Sequence, residues 1–187
     1  DNIAAIVIEP IQGEGGFVVP ATGFLPELVK FAKDNGIVFV ADEVQTGIAR
    51  TGSLLAVCGN CTCENSREKQ ATYVEPDILI LGKAISGGAY PVSAVLANDV
   101  VMNVIKPGQH GSTFGGNPVA AAVAMAALEV ISEENLAQNA RKLGNIFREE
   151  IGNYITTSNI ATLVRGKGLL NAIVINDTEE SETAWNI

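Results

Sequence analysis

Ile37-Val38-Phe39-Val40-Ala41, followed at once by Asp42-Glu43-Val44-Gln45, decides the fold. A short unbroken apolar run suits a strand covered on both faces, and such strands belong to parallel sheets flanked by helices. Outward from it, similar runs recur at Ile3–Ile8 and Ile78–Leu81, and Ser93-Ala-Val-Leu96 is a candidate fourth strand. Between the first two runs lies a helical pattern. Pro26 suits a first turn, Leu28, Val29, Phe31 and Ala32 give an apolar face, and Asn35-Gly36 stops it. Strands alternating with helices predict an α/β fold with a mainly parallel sheet and flanking helices.

The second half reads as helix. Asn117-Pro118 supplies an N-cap and a proline at the first helical position. Val119 to Ile131 is almost wholly apolar or small, which predicts a buried helix. Ser132-Glu133-Glu134 reads as a fresh N-cap with an acidic first turn. Leu136, Ala140, Leu143, Phe147 and Ile151 follow at helical spacing. A turn-rich stretch, Thr156 to Asn159, then leads to Val164–Leu169 and the apolar run Leu170–Ile175. We expect residues 1–155 to be part of one large domain and residues 156–187 to start a smaller C-terminal α+β domain. With a core run starting almost at residue 1, the chain reads as an interior piece of a longer protein.

Composition narrows the partners. A net charge of −9 argues against nucleic acid or an anionic membrane as the main partner. No apolar run is long enough to span a bilayer. Cys58, Cys61 and Cys63 fall in one polar stretch, Cys58 to Thr72, which is not the spread of a disulfide framework. Three cysteines with no adjacent histidine fall short of a closed zinc site. We expect a surface loop there and a reducing compartment, the cytoplasm or the mitochondrial matrix.

In open α/β sheets ligands bind beyond the carboxyl ends of the strands. Two strands end there in complementary groups: Asp42 after the second, and Gly82-Lys83-Ala84 followed by Ser86-Gly87-Gly88 after the third. A strand-end lysine partly withdrawn from water becomes a usable nucleophile, although most such lysines are plain surface residues. A strand-end carboxylate can hold a protonated ring nitrogen, the pairing that keeps a pyridoxal-phosphate ring electron-accepting.

Ala41-Asp-Glu-Val-Gln-Thr-Gly47, Arg50-Thr-Gly52, Pro76-Asp77 and Gly82-Lys83-Ala84, in this order, resemble the class III (subgroup II) aminotransferases. The resemblance runs through nearly the whole chain. Ile105-Lys-Pro-Gly-Gln-His-Gly-Ser-Thr-Phe-Gly-Gly-Asn-Pro118 and Arg165-Gly-Lys-Gly-Leu-Leu-Asn-Ala172 resemble the ornithine branch of that class. Acetylornithine aminotransferases share the framework but usually differ around the His110–Thr113 segment.

The resemblance implies a fold-type-I PLP-dependent transferase. Lys83 would form the Schiff base with pyridoxal 5'-phosphate and shuttle the proton. Asp42 would hold the pyridine nitrogen, Val44 would pack on the ring, and Gln45 would bond its phenolic oxygen. Ser112 and Thr113 would reach the cofactor phosphate of the neighbouring subunit in a homodimer. Glu9 and Glu14 match two active-site glutamates, Glu14 being the switch partner of an arginine expected after Ile187. The upstream phosphate-binding segment is expected before Asp1, so these residues alone should not be catalytic.

The implied reaction moves the δ-amino group of ornithine to 2-oxoglutarate. The competing readings are an acetylornithine or 4-aminobutyrate aminotransferase, and a non-catalytic protein on the same fold. His110 is read as a local structural residue, and Arg50 and Arg165 as loop organisers. Ala49 stands where the family usually has glycine.

Overall fold

A computed structural model describes residues 2–58 and 74–176. Strands β1 (Ala5–Ile8), β2 (Val38–Asp42), β3 (Ile78–Leu81) and β4 (Ala94–Ala97) form one sheet in the order β1-β2-β3-β4. Pairings β1–β2 and β2–β3 are parallel, and β3–β4 is antiparallel. The sheet is mainly parallel, as the buried runs predict. The fourth strand reverses because the connection from Gly82 to Ser93 holds only a single 3-10 turn, Lys83–Ser86, and no crossover helix.

Central strand β2 carries the core, with Phe39 and Ala41 fully buried. Helix α1 (Phe24–Asp34) lays Val29 and Ala32 onto it, while Phe31 faces out. Strand β1 departs from expectation. Val7 is exposed, because among the described residues nothing packs over that face of the strand. Asp77 staples the sheet at the strand starts. Its carboxylate accepts from Phe39 N at 2.9 Å and from Asn98 Nδ2 at 3.0 Å, tying β2, β3 and the end of β4 together.

Beyond β4 come the short helix α2 (Asp99–Met102), then α3 (Pro118–Glu133) and α4 (Leu136–Ile155). Asn117 caps α3 as its sequence predicts, its side-chain oxygen accepting from Ala120 N at 2.9 Å. Two expectations fail in this region. Ala120 is the one fully buried residue of α3, and Met125 and Val119 are exposed. An apolar helix is covered on as many sides as it has neighbours, and among the described residues only the Lys83–Ser86 turn and α4 pack extensively on it. Ser132 is not an N-cap either. Helix α3 continues to Glu133, and the break falls at Asn135, whose φ of 54° places it in the left-handed region that asparagine tolerates.

Helix α4 buries Ala140 and Gly144, while Leu143 and Phe147 face outward. The reason is close backbone packing. A Cβ on Gly144 would lie 1.8 Å from the Gly168 carbonyl oxygen. Gly168 sits in the turn between β5 (Ala161–Lys167) and β6 (Leu170–Ile175), an antiparallel two-stranded sheet separate from the first. Arg148 on α4 reinforces this contact, donating to the Gly168 carbonyl at 3.0 Å and to Asn171 Oδ1 at 2.6 Å.

Candidate active site

Parallel pairing brings the ends of β2 and β3 side by side. Asp42 is in register with Ile80, and Glu43 N donates to the Ile80 carbonyl at 2.9 Å. The residues that follow, Val44 on one strand and Gly82-Lys83 on the other, are therefore neighbours. Val44 packs on Gly82 so closely that a Cβ there would lie 3.2 Å from Val44 Cγ1. Lys83 turns out of the strand with φ at 44°, a conformation that costs a non-glycine residue of order 1 kcal/mol. Ser86 supports the turn, donating to the Lys83 carbonyl at 2.8 Å and accepting from Gly88 N at 3.1 Å. Among the described residues nothing covers the Lys83 side chain. One oxygen of Asp42 accepts from Val44 N at 3.0 Å, which fixes the carboxylate and leaves the other oxygen for a ligand.

A second segment meets this edge. Gln12 and Val18 exchange two backbone hydrogen bonds of 3.1 Å, closing a tight loop over Gly13 to Phe17. Glu14 is exposed on that loop, and its Oε1 accepts from Gln45 Nε2 at 2.8 Å. Glu9 Oε2 accepts from Gly13 N at 2.6 Å. Gly13 must be small, because a Cβ would lie 2.4 Å from Gln45 Oε1 and 3.0 Å from Glu9 Oε2. Thus Asp42, Val44, Gln45, Lys83, Glu9 and Glu14 lie on one connected edge.

Behind the edge, Glu43 is fully buried. Its carboxylate accepts from Thr46 Oγ1 at 2.8 Å, Ala56 N at 2.8 Å and Val57 N at 2.9 Å. Burial pushes its pKa above the ordinary value, against the pull of these bonds and of the Lys167 charge. Burial, with Arg141 nearby, lowers Lys167, and Glu43 opposes that. The buried carboxylate at the β2 end and the partly buried Lys167 at the end of β5 therefore influence each other electrostatically.

The sequence matches the family model "Aminotransferase class-III" over residues 1–186. The chain belongs to this family. It is 54% identical over 186 residues to the mitochondrial ornithine aminotransferase of Drosophila ananassae, covering all of this chain and 39% of that protein. Among solved structures, an acetylornithine aminotransferase from Elizabethkingia anophelis superposes with a TM-score of 0.88 at 60% identity, covering 99% of this chain and 43% of that one. An ornithine aminotransferase from Toxoplasma gondii, crystallised with partial PLP occupancy at its active site, gives 0.85 at 44% identity, over 94% of this chain and 38% of that one. The chain thus spans about two-fifths of the length of its relatives.

In this class-III aminotransferase chain the donor set fits pyridoxal phosphate. The Lys83 amine and one Asp42 oxygen have no partner among the described residues, and they extend from adjacent strand ends. Gln45 gives one of its two amide hydrogens to Glu14 and keeps the other. Ser112 and Thr113 are exposed in the loop before α3, and the Ser112 hydroxyl accepts only a local bond, from Gly115 N at 2.8 Å. They make no bond to the Asp42–Lys83 edge. His110 and Arg50 are also exposed.

A cavity of about 970 Å³ lies between the Lys83–Ala89 turn and helices α3 and α4. Lys83 lines it, but Asp42, Val44 and Gln45 do not, so it is not where a ring would meet both strand ends. Cys58 is half-buried at the end of a 3-10 turn, Ala56–Cys58, whereas Cys61 and Cys63 lie outside the described residues. Among the described residues no cluster could hold a metal ion, and no helix is long and apolar enough to cross a membrane. Sequence reasoning missed Glu43 and Lys167. The sequence carries no signal for them, because the groups that meet there are far apart along the chain.

Proposed function

We propose that the protein carrying this chain moves the δ-amino group of ornithine to 2-oxoglutarate, giving glutamate semialdehyde and glutamate, with pyridoxal 5'-phosphate bound at the Asp42–Lys83 edge. The observation that carries the reading is the adjacency of these two strand ends, with the Gln45–Glu14 hydrogen bond on the same edge. The curated relative from Drosophila ananassae supports ornithine as the donor.

When bound, the cofactor supplies an electron sink for the carbanion formed at the reacting carbon. Lys83 would be the covalent attachment point, and its amine would carry the proton taken from the substrate carbon. Asp42, held by Val44 N, would pair with the ring nitrogen and favour its protonated form. Val44, seated on Gly82, would support one ring face. Gln45 would offer its remaining amide hydrogen to the phenolic oxygen. Ser112 and Thr113 would serve the phosphate of a partner copy in a homodimer, their hydroxyls being exposed in the loop before α3. Glu14, with Glu9 shaping its loop, offers a carboxylate to a cationic side chain. It yields when an anionic substrate needs a guanidinium instead. Residues 156–187 begin a smaller domain, and the compartment is the mitochondrial matrix or the cytoplasm.

The Elizabethkingia structure favours a second reading, acetylornithine as donor. Half-reactions of the full-length protein separate the two. Ornithine should convert the yellow cofactor band to the amine form, with acetylornithine and 4-aminobutyrate far slower. Conversion by acetylornithine alone would replace the ornithine reading.

A further inference from the structure

The Glu14 loop is fastened from an unexpected direction. Arg165, in the middle of β5, donates from Nε to the Gly16 carbonyl at 2.7 Å. The guanidinium comes close against this glycine, since a Cβ on Gly16 would fall 2.5 Å from Arg165 Nη2. Gly16 has φ at 101°, so the close approach and the backbone conformation both require glycine. Gly16 N and Phe17 N in turn donate to the Gly13 carbonyl at 2.9 Å and 3.1 Å. The loop bearing Glu14 is therefore held at its base by Gln12 and Val18, on one side by Gln45, and on the other by Arg165.

The hairpin that carries Arg165 is itself anchored to the other site segment. Leu169 N donates to the Arg50 carbonyl at 3.0 Å, and Gly168 packs directly on the backbone of Arg50 to Gly52. Arg141 from α4 closes the same contact, donating to the Gly52 carbonyl at 2.7 Å. One rigid hairpin thus touches both the turn that follows Gln45 and the loop that carries Glu14.

We propose that Arg165 is a positioning residue: by holding the Gly16 carbonyl it sets where the Glu14 carboxylate stands, and so divides preference between a cationic and an anionic amino donor. This rests on the function proposed above. A planar guanidinium fixes a carbonyl in direction as well as distance, which a flexible ammonium does less well. A shift of about 1 Å in a substrate-positioning group can change a rate by about 100-fold.

The test uses the full-length holoenzyme, with each half-reaction followed separately by cofactor absorbance, ornithine in one and glutamate in the other. Arg165→Met should lower the ornithine-to-glutamate ratio of kcat/KM by about tenfold, chiefly through the KM for ornithine. Arg165→Lys should recover part of it. With Glu14 already changed to Gln, Arg165→Met should move the ratio by less than about twofold, because the two residues act through one carboxylate. Gly16→Ala, which drives a Cβ into the same guanidinium, provides an independent route if Arg165→Met does not fold. An unchanged ratio in Arg165→Met or in Gly16→Ala would overturn the proposal, as would the full change persisting in the Glu14→Gln background. Failure of the ornithine reading would show instead in the wild type, and the ratio is then taken with whichever amine converts it.

Discussion

At the residue scale the site separates groups that act from groups that hold. Lys83 is exposed and makes no side-chain bond among the described residues, so its removal should cost chemistry and not stability. Lys83→Ala in the full-length protein should lower turnover by about 10²–10⁴-fold or more while its cofactor-free form melts within a degree or two of the cofactor-free wild type, a comparison of steady-state rate with thermal unfolding. Glu43 is the opposite case. Its folded pKa lies above the ordinary 4.5, so the fold favours its protonated form. The sign follows from linkage. Between 4.5 and the raised value the folded state binds more protons than the unfolded one, and stability falls as pH rises through that window. Glu43→Gln removes this slope but places an amide hydrogen among two backbone N–H donors, at a pH-independent cost of about 1–3 kcal/mol. Melting curves of both proteins across pH should therefore converge as pH rises; parallel curves would refute the burial argument. Asp42 and Lys83 were legible because each ends an apolar run. Glu43 was not, because nothing in one dimension reveals that Thr46, Ala56 and Val57 converge on it.

Elements were legible where local chemistry decides them. Asn117 caps α3 and Asn35-Gly36 ends α1 because caps and stops are short-range events. The orientation of α4 was not legible, since its spacing puts Leu143 and Phe147 beside Ala140, yet the buried stripe runs through Ala140 and Gly144. The turn at Gly168 selects that face, and it belongs to a hairpin more than twenty residues away. Gly144→Ala should accordingly be severe, because backbone would have to move: several kcal/mol, beyond the ordinary range of about 1–3 kcal/mol for overpacking, read by denaturant unfolding. Asp77→Ala removes the acceptor for Phe39 N and Asn98 Nδ2 and should cost about 1–3 kcal/mol in the same measurement. Unaltered midpoints in either variant would contradict the packing described.

At the scale of the whole molecule, the parallel order β1-β2-β3 places every strand-end group on one edge, which is why a site could be read from the ends of apolar runs. Coverage was harder to read, because the sequence shows that α3 is apolar and not what lies over it. Among the described residues Met125 is 62% exposed and Phe114 77%.

The central claim is that one amine, on the strand beside Asp42, carries the cofactor. Borohydride reduction of the yellow full-length protein, followed by digestion and peptide mass mapping, tests it directly. Loss of colour and a single phosphopyridoxyl adduct on Lys83 are expected. A reduced protein with Lys83 unmodified, or with the adduct on another lysine, would contradict it.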